Sequence, residues 1–390
     1  MEVQKFIRSY MEKFKEIQES LFEYLDDQST DEVIFNNLII LLEKHKMKEN
    51  PNDLRLVLHL ITEISNNYHR SPNFFTKIEK ILNFLKEDIK NHFSEDQIFN
   101  IFKSSKCLLL FLFDEKVITP SKYMSFLMAS RMSYMSNFPH LYFYPEFKDF
   151  YENSVNKDID KRCPEIRNIE DIESFNQKRK TGENDEYICQ LIRDDSIDEF
   201  VIYVTQKNIK LNNKIKFSYF ESNYFLMKTK QQTFIEYAAF YGSIQIFQYL
   251  KLNGAELTPS LWLYAIHGGN AEIIHLLEEN HIHPEDQSFH ECLKYSIKNY
   301  QKDITNYLKN NVIEEKFENE NQLNIQFYNF SGLSELTIED NQKDELFFNF
   351  CKYDYITIVD FILKNSRIDI NRTFLQILND FNEIQNNVYY

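Results

Sequence analysis

Apolar side chains in residues 1–155 recur at intervals of three and four, which is the spacing of amphipathic helices. The first such segment begins at the N-terminus and ends near Asp26, with apolar positions at Phe6, Ile7, Tyr10, Met11, Phe14, Ile17, Leu21, Phe22 and Leu25. Helix start signals precede the later segments: Ser29 with Glu32, Pro51, Ser71-Pro72, Ser94 with Gln97, and Pro120-Ser121. Because the connections are short, the pattern predicts antiparallel helices in an irregular bundle or solenoid.

A different pattern recurs after residue 187. Two short apolar segments are joined by a small or polar residue, and the joining positions are Asp195, Gly242, Gly269, Tyr300 and Asp354. The second segment of each unit has apolar residues at matched offsets: Ile246, Phe247, Leu250; Ile273, Ile274, Leu277; Ile304, Leu308; Ile358, Val359, Ile362, Leu363. Two short, tightly joined helices per unit predict a helical-hairpin repeat.

The best-defined unit resembles an ankyrin repeat. Thr233-Phe-Ile-Glu-Tyr-Ala-Ala239 stands where the ankyrin family has Thr-Pro-Leu-His-x-Ala-Ala, and residues 242–255 resemble its second helix and terminating Asn-Gly-Ala. Thr233 can cap the first helix, the alanines allow helices to approach closely, and Gly242 and Gly254 suit left-handed turns. Residues 233–282 are similar to a divergent ankyrin domain, of unknown function and greatly expanded in protozoan parasites, that follows a helical N-terminal region.

The resemblance implies an all-α chain with a degenerate ankyrin-repeat solenoid. We expect a helical region at 1–155, a polar linker or loop at 156–186, and ankyrin-type repeats at 187–390. Successive joining positions are 47, 27, 31 and 54 residues apart, against about 33 in the family. The long intervals predict inserts, the largest near 311–345. Any strands should be short hairpins in the inserts, around residues 209–225 and 322–336.

Composition agrees with helices, because glycine (6) and proline (8) are scarce. A net charge of −16 argues against a nucleic-acid partner, and Lys178-Arg179-Lys180 is best interpreted as a solvated loop. Five scattered cysteines fit no disulfide framework and indicate a reducing compartment. We expect an intracellular, cytoplasmic location, with a nuclear one left open. The longest apolar run, residues 107–113, is too short for a membrane span, so we expect no membrane insertion.

The sequence contains no motif for catalysis or for a cofactor. His275, His281, His283, His290 and Cys292 are the densest group of possible metal ligands, but the repeat alignment places them on separate elements. The acidic pairs Asp194-Asp195 and Glu278-Glu279 fall at helix ends, where carboxylates are solvated. We therefore predict a protein that is not an enzyme, with no metal and no cofactor. Trp262, the only tryptophan, is predicted to lie in the core.

The resemblance favours a protein-binding scaffold with a protein partner that the sequence does not identify. Partner-binding candidates are Phe240, Tyr241 and His267, which the ankyrin register places on the concave side of the stack. The alternative is that inserted loops or N-terminal helices cover these residues. A second functional hypothesis is an adaptor whose N-terminal helices carry the specific activity, with the repeats as a rigid support. The oligomeric state is left open.

Overall fold

A computed structural model describes residues 2–29, 32–69, 71, 73–131, 142–152, 172–229, 231–313, 317, 319–336 and 343–365. These residues are 71% helical and contain no strand, which confirms the predicted all-α class. The first eight helices are α1 Glu2–Asp26, α2 Glu32–Lys44, α3 Pro51–Asn67, α4 Phe74–His92, α5 Glu95–Phe102, α6 Lys106–Asp114, α7 Lys122–Arg131 and α8 Tyr144–Glu152.

The later helices are shorter. They are α9 Ile172–Thr181, α10 Tyr187–Arg193, α11 Ile197–Gln206, α12 Tyr224–Thr229, α13 Phe234–Tyr241, α14 Ile244–Leu252, α15 Leu261–Gly268, α16 Ala271–Glu279, α17 His290–Lys298 and α18 Lys302–Tyr307, then α19 Glu320–Gln326, α20 Phe330–Ser334, α21 Lys343–Lys352 and α22 Ile356–Asn365. A π-helical turn, Leu308–Val312, follows α18.

The chain forms two compact units. Unit 1 contains residues 1–65, 71–170 and 321–390, and unit 2 contains residues 66–70 and 171–320. This division differs from the predicted boundaries, which grouped all of residues 187–390 together. The predicted linker also differs, because residues 172–181 of it form α9 and those at 156–171 lie outside the described residues.

Unit 1 is organised around α1, whose bounds match the sequence prediction. Its apolar face is buried and contacts α2, α4, α20 and α22. The ring of Phe14 lies 4.9 Å from that of Phe330, and the buried Gln18 Oε1 accepts a hydrogen bond of 2.7 Å from the Phe330 amide. Arg8 Nε donates to the Leu336 carbonyl at 2.7 Å. These contacts explain why the C-terminal helices belong to the same unit as α1.

Unit 2 is built from helix pairs: α10 with α11, α13 with α14, α15 with α16, and α17 with α18. The first helices pack against one another in chain order, and so do α11, α14 and α16. Each predicted joining position has a positive φ, with 47° at Asp195, 68° at Gly242, 62° at Gly269 and 59° at Tyr300. The sequence alignment therefore identified the turns correctly, although two of the four residues are not glycine.

The helix termini show why these turns recur. Thr233 and Glu236 form the capping box at the start of α13, and Gly254 ends α14 with a φ of 85°. After α13 the Ser243 amide donates to the Ala238 carbonyl at 2.9 Å. The same bond joins Ser196 to Leu191 and Gln301 to Ser296. In each case a residue in the left-handed conformation precedes an amide that donates a hydrogen bond to the carbonyl five residues earlier. This hydrogen bond satisfies a carbonyl that the helix end would leave unpaired.

The interval predicted to hold a long insert near 311–345 contains a further helix pair instead. Tyr328 joins α19 and α20 with a φ of 51°, and the Asn329 amide donates to the Asn324 carbonyl at 2.9 Å. Tyr328 lies 28 residues after Tyr300 and 26 before Asp354, whose φ is 60°. The prediction of an inserted loop was wrong, because the chain makes a further turn at Tyr328, a position that the alignment did not include.

The two regions to which any strands were expected to be confined contain no hairpin. Residues 322–336 are mostly helical, and the region around 209–225 contains a single isolated bridge partner, Lys214, opposite Thr233. The Ile215 amide also donates to the Gln232 carbonyl at 2.7 Å. These two contacts are too few to form a pair of strands, because the two segments do not stay side by side. We call residues 207–232 the insert.

Ala239 is completely buried where α13 meets α15. Ala239→Phe should therefore overpack this interface and cost about 1–3 kcal/mol in the free energy of unfolding. Because each pair is stabilised by its neighbours, the loss should spread to the adjacent pairs. Thermal unfolding followed by circular dichroism measures it, and an unchanged melting temperature would show that Ala239 is not held between the helices.

Candidate interaction site

The predicted partner-binding residues are close together at the C-terminal ends of two first helices. Phe240 and Tyr241 end α13, and His267 lies in the last turn of α15. The rings of Phe240 and His267 are 5.1 Å apart, and those of Phe240 and Tyr241 are 5.0 Å apart. The structure therefore places these three residues next to one another.

Their exposure differs from the prediction. Phe240 is 7% exposed and His267 is 3% exposed, while Tyr241 is half-buried. The expectation that these side chains project from an open concave surface was wrong for Phe240 and His267. The alternative, that an inserted segment covers them, is the arrangement observed.

The covering residue is Phe225, on α12 of the insert. Its ring centre lies 6.0 Å from that of Phe240 and 4.3 Å from that of His267. Tyr264 of α15 and Tyr295 of α17 meet the same ring edge-on, at 4.9 and 5.6 Å. Phe225 therefore fills the centre of an aromatic cluster formed by three successive first helices.

Buried polar groups hold the insert in this position. Asn223 caps α12, because its Oδ1 accepts from the amides of Phe225 and Leu226 at 3.0 and 3.3 Å. Its Nδ2 donates to the Asn66 carbonyl at 3.1 Å. Ser222 Oγ donates to the Gly182 carbonyl at 2.8 Å. Buried polar side chains that satisfy backbone groups specify one position, so α12 is an integral part of unit 2.

A second polar group lies around Arg193 of α10. Arg193 Nε pairs with Glu183 at 2.9 Å, and Nη1 donates to the Tyr237 hydroxyl at 3.0 Å. Burial raises the pKa of the neighbouring Cys189 thiol to about 12. A thiol with this pKa stays protonated at neutral pH and is a poor nucleophile. The arrangement therefore fits structural pairing of a guanidinium better than nucleophilic catalysis.

Burial, with a smaller contribution from the positive charge of Lys298, holds the pKa of His267 well below its usual range. His267 is therefore neutral in the folded protein at neutral pH. The unfolded chain takes up a proton at this residue below about pH 6.5, and the folded chain does not. The contribution of His267 to stability is complete above that pH and is lost as the pH falls.

His267→Gln should remove this dependence. Below about pH 6 we expect the wild-type free energy of unfolding to fall, relative to that of the variant, by up to about 1.4 kcal/mol per pH unit. Urea unfolding at pH 5, 6, 7 and 8 measures the difference, and His275→Gln at an exposed position is the matched control. A constant difference between wild type and His267→Gln across this range would contradict buried, neutral His267.

The other candidate residues do not form a site. Among the described residues no three His, Cys, Asp or Glu side chains are placed to hold a metal ion. Trp262 is 1% exposed, and its Nε1 donates to the Ile282 carbonyl at 2.7 Å, which confirms its predicted core position. Asp195 accepts from the amides of Gln245 and Ile246 at 3.1 and 2.9 Å. It therefore links one helix pair to the start of the second helix in the next.

Sequence reasoning missed the exposed side of the insert. Between Lys207 and Lys230 the chain has six lysines and one acidic residue, Glu221, although the whole protein has 60 acidic against 44 basic residues. Lys207, Lys210, Lys214, Lys216 and Lys228 are exposed, and Glu221 is buried. The local reversal of charge was visible in the sequence as a run of lysines.

No protein-family model, no curated protein and no solved structure matches the chain. In the described ranges no helix is both long enough and apolar enough to span a membrane.

Proposed function

We propose that this protein is a non-catalytic, intracellular scaffold of ankyrin type that binds a protein partner. The observation that carries the proposal is the recurrence of one turn geometry between paired helices, from Asp195 to Asp354. Helix pairs that contact only their neighbours produce extended surfaces, and such surfaces are used mainly for binding proteins. The repeat resemblance at residues 233–255 supports the same interpretation.

The chemistry of the buried groups also supports a non-catalytic role. Burial raises the pKa of the Cys189 thiol to about 12 and that of Cys351 to about 11. Asp195 is bonded to two backbone amides, and Arg193 is paired with Glu183. The two thiols are therefore protonated at neutral pH, and Asp195, Arg193 and Glu183 form hydrogen bonds and an ion pair within unit 2.

The adaptor hypothesis has its own supporting observation in unit 1. Val33 and Ile40 of α2 are 55% and 60% exposed, and they lie seven residues apart on one face of the helix. Exposed aliphatic side chains two turns apart can contact a partner helix. A deletion of residues 1–150 would not test the adaptor hypothesis cleanly. It would remove α1, and α20 and α22 of the same unit would lose their contacts with it.

Affinity purification of the tagged, full-length protein from its own cells tests both hypotheses. The scaffold proposal predicts specific enrichment of one or a few proteins, and no enrichment over a tag-only control would contradict it. Ile40→Glu separates the alternatives because it alters unit 1 without touching its core. The scaffold keeps its partner in this variant, whereas the adaptor loses it.

A further inference from the structure

The exposed face of the insert combines positive charge with aromatic rings. Ile215 is buried, so Lys214 and Lys216, one residue to either side of it, face solvent from the extended segment. Phe217 follows and is 38% exposed. On α12, Tyr224 is 43% exposed and Lys228 lies one turn later on the same face of the helix. Buried Phe225 thus fixes a helix whose opposite side faces solvent.

The two parts of this face are adjacent. Lys214 Nζ donates to Gln231 Oε1 at 3.2 Å, which places Lys214 beside the residues that follow α12. Gln232 Nε2 donates to the Thr229 hydroxyl at 2.6 Å, so this segment is held against the end of the helix. Lys298 of α17 adds a further cation, with its Nζ 5.6 Å from the centre of the Tyr224 ring. We call Lys214, Lys216, Phe217, Tyr224, Lys228 and Lys298 the basic face.

Among the described residues, no salt bridge is formed by Lys214 or Lys228 of the basic face, and Lys216 has only a long one. Asp185 pairs with Lys178 at 2.8 Å, and Glu183 pairs with Arg193. Glu186 reaches Lys216 only at 3.7 Å, in an exposed pair that contributes little. In the described part of the chain, no carboxylate oxygen lies within 4.0 Å of the Nζ of Lys214 or Lys228.

We propose that the basic face of the insert is a docking surface for a short acidic segment of a protein partner. This inference rests on the proposed scaffold function and names its binding surface. Carboxylates of the partner would pair with Lys214, Lys216 and Lys228, while apolar side chains would pack on the exposed parts of Phe217 and Tyr224. Tyrosine is enriched among the residues that contribute most binding energy in protein interfaces, and complementary charges steer the association of the two partners.

Charge decides between an acidic peptide and a larger polyanion. The chain has a net charge of −16, so a long nucleic acid or an anionic membrane is repelled by the protein as a whole even where it meets the insert. Screening limits electrostatic attraction to about 8 Å at physiological salt. A short acidic segment therefore meets the positive charge of the insert without the repulsion from the remaining surface.

The test is fluorescence anisotropy of a fluorescein-labelled decaglutamate peptide titrated with the full-length protein in 50 and 150 mM NaCl. We expect saturable binding that weakens with salt. Lys214→Glu with Lys216→Glu should weaken it by about tenfold or more. Lys251→Glu with Lys302→Glu in the same unit makes the same change in net charge and should weaken it less than about twofold. Circular dichroism establishes that each variant is folded, and Lys214→Gln with Lys216→Gln replaces the first pair if it is not.

Three results would overturn the proposal: no saturable binding in 50 mM NaCl, an equal loss in the two double variants, or selective binding of polyuridylate or phosphatidylserine vesicles in place of the peptide. The scaffold function is tested separately. If affinity purification enriches the same proteins with wild type and with Lys214→Glu/Lys216→Glu, the scaffold function stands and the basic face is not its docking surface.

Discussion

Phe225→Ala should destabilise unit 2 by about 3–5 kcal/mol, the usual cost of removing a buried phenylalanine. The ring of Phe225 contacts Phe240, Tyr264, His267 and Tyr295, which lie on three different helices. Its loss leaves a cavity that these helices cannot close without moving the backbone, because each is fixed by its neighbours in the stack. Urea unfolding followed by circular dichroism measures the change.

Phe217→Ala is the matched control for Phe225→Ala. Phe217 belongs to the same insert but is partly exposed, with its ring 5.5 Å from that of Tyr219. We expect its substitution to change the free energy of unfolding by about 0.5 kcal/mol or less. Equal effects of the two substitutions would mean that Phe225 does not fill the aromatic cluster. The groove lined by Phe240, Tyr264, His267 and Tyr295 of the first helices, called the first-helix groove, would then be open.

Gly268→Ala should cost about 3 kcal/mol, a large effect for one methyl group. A Cβ atom at Gly268 would lie 2.2 Å from the Ala239 carbonyl oxygen and 2.9 Å from the Gly242 nitrogen. Both are backbone atoms of the preceding pair, so α13 and α15 would have to separate. In a unit of this size the expected fall in melting temperature is roughly 6–12 °C.

Gly254→Ala separates this packing effect from backbone strain. Gly254 has a φ of 85°, but nothing lies within 4 Å of a Cβ atom placed there. The substitution should cost about 1 kcal/mol, which reflects the left-handed conformation alone. If Gly268→Ala is no more destabilising than Gly254→Ala in the same thermal unfolding experiment, the first helices are not as close as the structure places them.

Local sequence signals predicted much of unit 2 because they act within one turn of chain. The capping box at Thr233, the left-handed glycines and the matched apolar offsets report helix ends and buried faces directly. Tyr328 was missed for the same reason. A tyrosine carries no small-residue signal: Tyr300 was aligned through the apolar offsets that follow it, and Tyr328 was not recognised. The structure shows the turn at Tyr328 by its positive φ and by the hydrogen bond from the Asn329 amide to the Asn324 carbonyl.

The burial of Phe240 and His267 depends on tertiary contacts, which the spacing of apolar residues along the sequence does not reveal. The register of α13 and α15 placed Phe240 next to His267, as observed. Whether the rings of Phe240 and His267 are exposed to solvent or covered by another segment depends on the path of the insert. That path is fixed by Asn223, Ser222 and Gln232, whose hydrogen bonds reach residues distant in sequence or form only after the insert has folded back. The grouping of α19 to α22 with α1 is a long-range contact of the same kind.

Hydrogen–deuterium exchange of the full-length protein, with and without saturating decaglutamate peptide, tests most directly whether a partner engages the insert while Phe225 keeps the first-helix groove filled. We expect slower amide exchange in peptides covering residues 207–229 and unchanged exchange in those covering 234–241 and 261–268. Slower exchange in residues 234–241 and 261–268, accompanied by faster exchange in 224–229, would contradict it, because the ligand would then have displaced α12 and occupied the groove.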